Sequence, residues 1–199
     1  PTDYPNSPHI APDNIEREVG RLLAYRTVAE DEVKSPKHRF FAGQIIYSKI
    51  RPNLSKLVIA QFDGLCSADM YPLSTGLNTK FLFYLMLSKY FVSRASNSGS
   101  RTVLPKINQH ELGGIALPIC SFVEQAQVID QLESKLSETD QLDQTITIAL
   151  QQAEALRQSI LKKAFSGQLV PQDPNDEPAS ELLARIKADR VVHKTIIKP

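Results

Sequence analysis

The hydrophobic pattern is dominated by one long helical repeat that begins near Ser121 and ends near Gly167. Apolar residues recur every three or four positions, and no proline interrupts them. A helix of about 45 residues would be close to 70 Å long, at about 1.5 Å per residue. Because the apolar stripe is narrow, we predict a coiled-coil-type helix that needs a second helix to cover it. A long helix packed inside a globular bundle is the alternative.

The positions predicted to pair with that second helix share the inward-facing place in the repeat. They are Leu132, Leu136, Leu142, Ile146, Leu150, Ala153, Leu156 and Ile160. Asp143 and Arg157 would interrupt the seam under a strict seven-residue repeat, so the coiled coil is imperfect. The helix start is marked by Ser121 and Glu124, spaced as a capping box, and its end by Gly167.

Shorter elements precede this helix. Runs rich in β-branched and aromatic residues alternate with turns containing Pro, Gly and Asn. The predicted strands cover 44–50, 57–62, 65–73 and 114–119, the predicted helix covers 79–92, and a Ser/Asn/Gly-rich loop covers 93–101. Asp63-Gly64 predicts a hairpin turn between the second and third strands. Asn78 is the expected cap of the helix.

These elements predict an α+β chain in three parts. Residues 1–118 form a mixed α/β domain, 119–167 the long helix, and 168–199 a connector with a short amphipathic helix and a tail. The chain has no apolar run of membrane length, and it begins without Met, so we expect part of a longer protein. Cys66 and Cys120 form no disulfide framework, which favours a reducing cytosol.

Charge is distributed unevenly, although the formal net charge is only +1. Residues 34–106 contain 11 Lys and Arg but only two acidic residues, Asp63 and Asp69. Positive charge of this density is the electrostatic footprint expected for binding a polyanion. A solvated basic face without a ligand is the alternative.

The end of the long helix carries the most specific motif. Residues 156–173, LRQSILKKAFSGQLVPQD, resemble the carboxy-terminal signature of type I restriction-modification specificity subunits (HsdS), and the resemblance continues over 175–183. Leu117-Pro118 followed by Glu124-Gln125 resembles that family's junction between recognition domain and helix. Residues 43–52 and 104–108 resemble elements of its target recognition domain. The resemblance therefore covers roughly residues 9–190.

This resemblance implies a non-catalytic protein that reads one half of a bipartite site in double-stranded DNA. Its implied partners are methyltransferase (modification) subunits, which use S-adenosylmethionine, and through them restriction subunits. A full subunit has two recognition domains and two long helices, whereas this chain has one of each. It therefore looks like the C-terminal half, or like a half-subunit that pairs with a second copy. We expect no cofactor of its own, no membrane association and a cytoplasmic location.

DNA-contacting residues are predicted at strand ends and in polar loops of the basic region. The candidates are Tyr47, Lys49, Arg51, Lys56, Arg94, Asn97, Arg101, Lys106 and Asn108. Cations at these places can contact phosphates, Arg can form two hydrogen bonds with guanine, and Asn can do so with adenine. For Tyr47 the alternative is a half-buried strand residue, and for each cation it is a solvated surface charge.

Motifs for catalysis are missing from the sequence. It contains no P-loop, no glycine-rich S-adenosylmethionine loop, no N-P-P-[FY] methylation motif and no paired carboxylates in a nuclease pattern. The four histidines are too scattered for a metal site, and Cys66 fits a small buried residue better than a reactive thiol. Two alternatives to DNA recognition stay open: a coiled-coil scaffold whose α/β domain binds protein, and an enzyme with an unrecognised site.

Overall fold

The computed structural model describes residues 1–97, 105–171 and 173–196. The strands in these ranges are β1 (Pro8–Ile10), β2 (Arg26–Thr27), β3 (His38–Phe40), β4 (Ile45–Ser48), β5 (Leu57–Ile59), β6 (Gly64–Cys66) and β7 (Met70–Leu73). The α-helices are α1 (Thr79–Leu87), α2 (Lys89–Asn97), α3 (Gln109–Gly113), α4 (Phe122–Phe165) and α5 (Ala179–Ile196). This mixture of sheets and helices confirms the predicted α+β class.

The strands of the described ranges form two sheets. One has the strand order β2-β1-β6-β3 and the other β5-β4-β7. Strand β4 is buried along its whole length because it has packing partners on both faces. Ile46 clusters with Phe40 of the four-stranded sheet, whereas Ile45 and Tyr47 cluster with Phe91 of α2. The three-stranded sheet is therefore a middle layer between the other sheet and α1 and α2.

The predicted hairpin at Asp63-Gly64 is wrong. Strand β5 pairs with β4, whereas β6 pairs with β1 and β3 in the other sheet. A Cβ at Gly64 would lie 2.7 Å from the Pro8 carbonyl oxygen and 2.6 Å from Phe40 Cζ. Gly64 therefore permits close packing inside a central strand and does not form a tight turn. The predicted strand over 65–73 is likewise two strands, β6 and β7, in different sheets.

Three further predictions about the domain need correction. The helix predicted over 79–92 breaks at Ser88, where ψ is 150°, into α1 and α2. The loop predicted over 93–101 is helical as far as Asn97, because Phe91 and Ala95 give α2 a buried face. The rest of that predicted loop, 98–101, lies outside the described residues. No strand forms over 114–119, which is irregular after α3.

The predicted ends of α4 are confirmed by their hydrogen bonds. The Ser121 backbone N–H donates to Glu124 Oε2 at 2.9 Å, and the Glu124 N–H donates to Ser121 Oγ at 3.3 Å. The Ser121 hydroxyl also donates to Glu124 Oε2 at 2.9 Å, and the two bonds that this carboxylate accepts from the N–H and the hydroxyl of Ser121 lower the pKa of Glu124. At the other end Gly167 has φ +71°, and the Gln168 N–H donates to the Lys163 carbonyl at 2.8 Å. This pair of features is a Schellman motif.

The described chain divides into two compact units, Pro1–Leu136 and Ser137–Pro199. Gln125 and Ile129, in the first turns of α4, are buried within the first unit. The functional boundaries at 118 and 167 stay predictions. None of the helices in the described ranges has the length and apolar character needed to cross a membrane. The same ranges contain no group of three His, Cys, Asp or Glu side chains able to hold a metal ion.

We predict that Gly64→Ala destabilises the first unit by about 1–3 kcal/mol, because its methyl group would press on the Pro8 carbonyl and the Phe40 ring. Gly76→Ala is the matched control, since a Cβ there has no neighbour within 4 Å. Urea unfolding of both variants measures the difference. Equal unfolding free energies for the two variants would contradict the packing described for β6.

Candidate nucleic-acid interface

Three chain segments meet at the end of β4. The Lys49 N–H donates to the Asp69 carbonyl at 3.0 Å, and the Ile107 N–H donates to the Lys49 carbonyl at 2.9 Å. The Arg51 N–H donates to the Pro105 carbonyl at 2.8 Å. Residues distant in the sequence are therefore held together by backbone hydrogen bonds, which do not depend on the identity of the side chains.

This junction collects three of the predicted cations. Lys106 Nζ lies 3.0 Å from Asp69 Oδ1, and Lys49 Nζ lies 5.3 Å from the centroid of the Tyr71 ring. The Arg51 side chain is exposed, and no ion pair or hydrogen bond engages its guanidinium within the described ranges. We call Lys49, Arg51 and Lys106, together with Asp69, the basic edge. It has a net positive charge and presents at least one cation free to bind an anion.

The backbone at Arg51 adopts an uncommon conformation. Its φ of +48° and ψ of +63° lie in the left-handed region, directly before Pro52. Such a conformation costs a residue with a Cβ roughly 1–2 kcal/mol. Hydrogen bonds on both sides hold it, since the Arg51 N–H donates to Pro105 and its carbonyl accepts from the Leu54 N–H at 2.9 Å. Strained positions maintained in this way are frequent at binding sites.

Helix α2 carries two more of the candidates. It packs on the 3₁₀ turn Pro52–Leu54, which directly follows Arg51. The Arg94 guanidinium stacks 3.5 Å from the centroid of the Tyr90 ring and donates to the Tyr90 carbonyl at 3.0 Å. Asn97 is exposed at the end of α2. Arg101 lies outside the described residues.

Tyr47 is not a surface residue, and this overturns its predicted role. Its side chain is 1% exposed and packs edge-on against Phe91, with 5.9 Å between ring centroids. Its hydroxyl has no hydrogen-bond partner in the described part of the protein, and burial raises its pKa. Alternation along β4 points Tyr47 towards α2, so a DNA phosphate cannot reach it.

Lys56 and Asn108 are also committed to structural contacts. Lys56 Nζ donates to the Pro12 carbonyl at 2.7 Å, and its side chain is only 18% exposed. Asn108 caps α3, where its Oδ1 accepts from the Glu111 N–H at 2.9 Å. A two-bond contact with adenine would use that same oxygen and break the cap. Both residues therefore leave the candidate interface.

The predicted pairing stripe of α4 is largely uncovered in the single chain. Leu132 is half-buried and Ala153 is exposed. The remaining positions, Leu136, Leu142, Ile146, Leu150, Leu156 and Ile160, are between 44 and 66% exposed. Arg157, which interrupts the seam, lies 3.4 Å from Glu154 on the same helix. The stripe is thus available to a partner.

Sequence reasoning missed the residues that attach α4 to the domain. Gln125 is fully buried, and its Oε1 accepts from the Asn78 N–H at 3.0 Å. Glu133 binds Lys80, with 2.7 Å between Oε1 and Nζ. The available signal was the four-residue spacing of Gln125, Ile129 and Glu133, which places all three on one helix face.

One curated relative matches almost the whole chain, and others match parts of it. It is 46% identical over 198 residues to the type I restriction enzyme EcoDI specificity subunit of Escherichia coli, covering 96% of this chain and 45% of that protein. This chain is a homologue of type I restriction enzyme specificity subunits. The StySPI specificity subunit of Salmonella potsdam is 32% identical over 108 residues, which cover 50% of this chain and 22% of that subunit. The EcoDI match takes in nearly all of this chain, but the chain spans only about half the length of that subunit.

Solved structures agree with this homology at the level of the fold. The HsdS subunit from Thermoanaerobacter tengcongensis aligns with a TM-score of 0.69 and 16% identity, covering 87% of this chain and 45% of that subunit. A chain from a structure on complex assembly and conformational transition of the type I R-M system aligns with a TM-score of 0.64 and 17% identity, with the same coverages. No family model matches the chain.

Tyr47→Phe tests the buried position of this tyrosine. We expect the free energy of unfolding to stay constant or to rise by up to about 1 kcal/mol, because the lost hydroxyl has no partner. Tyr84→Phe is the control, since its hydroxyl donates to Glu133 Oε1 at 3.3 Å, and it should lose about 0.5–1.5 kcal/mol. Urea titration compares the two variants. A larger loss for Tyr47→Phe would show that its hydroxyl has a partner.

Proposed function

We propose that this chain is a DNA-recognition part of a type I restriction-modification specificity subunit. Its first 118 residues would read one half of a bipartite site in double-stranded DNA. The observation that supports this most directly is the basic edge, where Lys49, Arg51 and Lys106 converge from separate segments. Homology to specificity subunits supports the same role.

The basic edge suits DNA better than it suits a small anion. Its cations lie along strand and turn ends, with Arg94 and Asn97 on the neighbouring α2, and this spread matches a phosphate backbone. Arg51 or Arg94 would supply hydrogen bonds to guanine, and Asn97 to adenine. Tyr47, Lys56 and Asn108 are not part of this proposal.

We further propose that the protein is non-catalytic and acts through partners. Long α4 would contact methyltransferase subunits, and restriction subunits would associate through these. The catalytic chemistry and S-adenosylmethionine would then belong to the partners. We retain the prediction of a cytoplasmic location. The role of Cys66 is structural and not nucleophilic in this proposal, because burial raises the pKa of its thiol to about 12.

A protein-binding scaffold without specific DNA affinity is the second candidate function. The exposed stripe of α4 favours it, because such a stripe requires a protein partner whatever the domain binds. The two functions differ in one respect that can be measured. Only DNA recognition predicts that affinity for duplexes depends on the basic edge.

DNA affinity should depend steeply on salt. With about five phosphate contacts, the slope of log affinity against log salt should be near −5. Lys49→Ala combined with Arg51→Ala should change this slope to about −3, because two contacts are lost. Fluorescence anisotropy on a duplex at several salt concentrations gives both slopes.

Lys89→Ala is the matched control, since Lys89 is an exposed cation of the same domain at the other end of α2. It should leave the slope within about 0.5 of the original value. If the control and the double variant gave the same slope, the basic edge would not be the DNA-binding surface.

Association through α4 is a second testable part of the proposal. The apolar stripe of α4 is exposed in a single chain. We expect it to be covered by the long helix of the other half of the subunit or by a second copy of this chain, most simply with two-fold symmetry. Leu150→Glu should convert a dimer of this chain into a monomer, because it places a charge in the seam. Gln151→Glu, on the opposite face of the helix, should leave the dimer intact. Light scattering measures the mass, and a monomeric unmodified chain would refute self-pairing.

A further inference from the structure

A buried polar clamp joins the first turns of α4 to the N-terminus of α1. Gln125 is 1% exposed although it lies on a helix that is otherwise mostly solvated. Its Oε1 accepts from the Asn78 N–H at 3.0 Å, and its Nε2 donates to the Cys120 carbonyl at 2.9 Å. One side chain therefore connects the start of α1, the segment before α4 and α4 itself.

The Asn78 end of the clamp has a second function. Asn78 is the N-cap of α1, and its Oδ1 accepts from the Lys80 N–H at 3.0 Å. Its backbone N–H precedes the helix and has no partner within α1, so Gln125 supplies one. Because an unpaired buried amide costs about 1–3 kcal/mol, the two groups fix each other in place.

A charged contact continues the clamp two turns further along α4. Glu133 lies eight residues after Gln125, on the same helix face. Its carboxylate contacts Lys80 Nζ at 2.7 and 3.0 Å and accepts from the Tyr84 hydroxyl at 3.3 Å. The contact with Glu133 raises the pKa of Lys80. Two separated anchors on one helix face resist tilting better than one.

We propose that Gln125 is a positioning residue that fixes the orientation in which α4 begins on the recognition domain. This inference rests on the proposed reading of a bipartite DNA site. A domain rigidly seated on its helix accepts a second half-site at one spacing and one rotation along the duplex. A domain that tilts on the helix accepts several spacings and rotations, because simultaneous binding at two half-sites depends on the geometry of the connection between the two domains.

Gln125→Leu removes both hydrogen bonds while keeping a side chain of similar size in the buried place. Gln127→Leu is the matched control, an exposed glutamine of the same helix. Glu133→Ala is a second way to weaken the clamp. It removes the contact with Lys80 and Tyr84 without changing a buried residue. All three variants are made in the complete subunit that contains this chain, assembled with its partners.

The first measurement requires no DNA. Spin labels at Lys89→Cys and Ser134→Cys, both exposed positions, report the distance between α2 and α4 in a Cys120→Ser background. We expect a narrow distance distribution in the parent and in Gln127→Leu. It should become at least about twice as broad in Gln125→Leu and Glu133→Ala. Unchanged widths in both clamp variants would overturn the positioning role.

The second measurement uses duplexes that carry the two half-sites with the spacer varied one base pair at a time. The parent and Gln127→Leu should prefer one spacer by about tenfold, and this preference should fall to about twofold in Gln125→Leu and Glu133→Ala. Affinity for a single half-site should stay within twofold. Loss of half-site affinity together with an unchanged spacer preference would refute the proposal. If the parent bound no duplex although the distance distributions broadened as expected, the DNA function would fail and the clamp would stand.

Discussion

The long helix α4 depends on other elements for almost all of its stability, and this constraint explains most of the molecule. Of its 44 residues, only Gln125 and Ile129 are buried in the described chain. Isolated helices gain little from propensity alone, so a helix of this length requires tertiary or quaternary packing. The first unit supplies that packing to the initial turns. The exposed stripe from Leu136 to Ile160 identifies where another helix would supply the rest.

In the first unit the physical constraint is a different one, because like charges must be held close together. Lys49, Arg51 and Lys106 are brought close by backbone hydrogen bonds and not by attraction between their side chains. Asp69 offsets part of the repulsion through its ion pair with Lys106. The middle sheet, buried on both faces, provides the rigid support for this arrangement. A preorganised cationic surface of this kind suits a rigid polyanion such as duplex DNA.

Features set by neighbouring residues were predictable from sequence, and those set by distant residues were not. The capping box of Ser121 and the left-handed Gly167 depend only on local geometry, and both were predicted. Gly64 was misread as a turn residue because its close neighbours, Pro8 and Phe40, are far away in the chain. Tyr47 was misassigned because period-two alternation does not reveal that β4 is covered on both faces. The basic edge itself was predictable as a charge cluster, but the loss of Lys56 to the distant Pro12 carbonyl was not. The loss of Asn108 had a local signal that sequence reasoning missed, because Asn108 and Glu111 are spaced as a capping box.

We propose above all that this chain contributes sequence-specific reading of DNA. The most direct test selects bound duplexes from a random library, using the chain alone and the chain assembled with the methyltransferase subunit that we propose as its partner. We expect the assembled complex to enrich one short motif, and that motif to be lost when Lys49 and Arg51 are both replaced by Ala. A library that stays random after selection with the assembled complex would contradict DNA reading by this chain and favour a protein-binding scaffold.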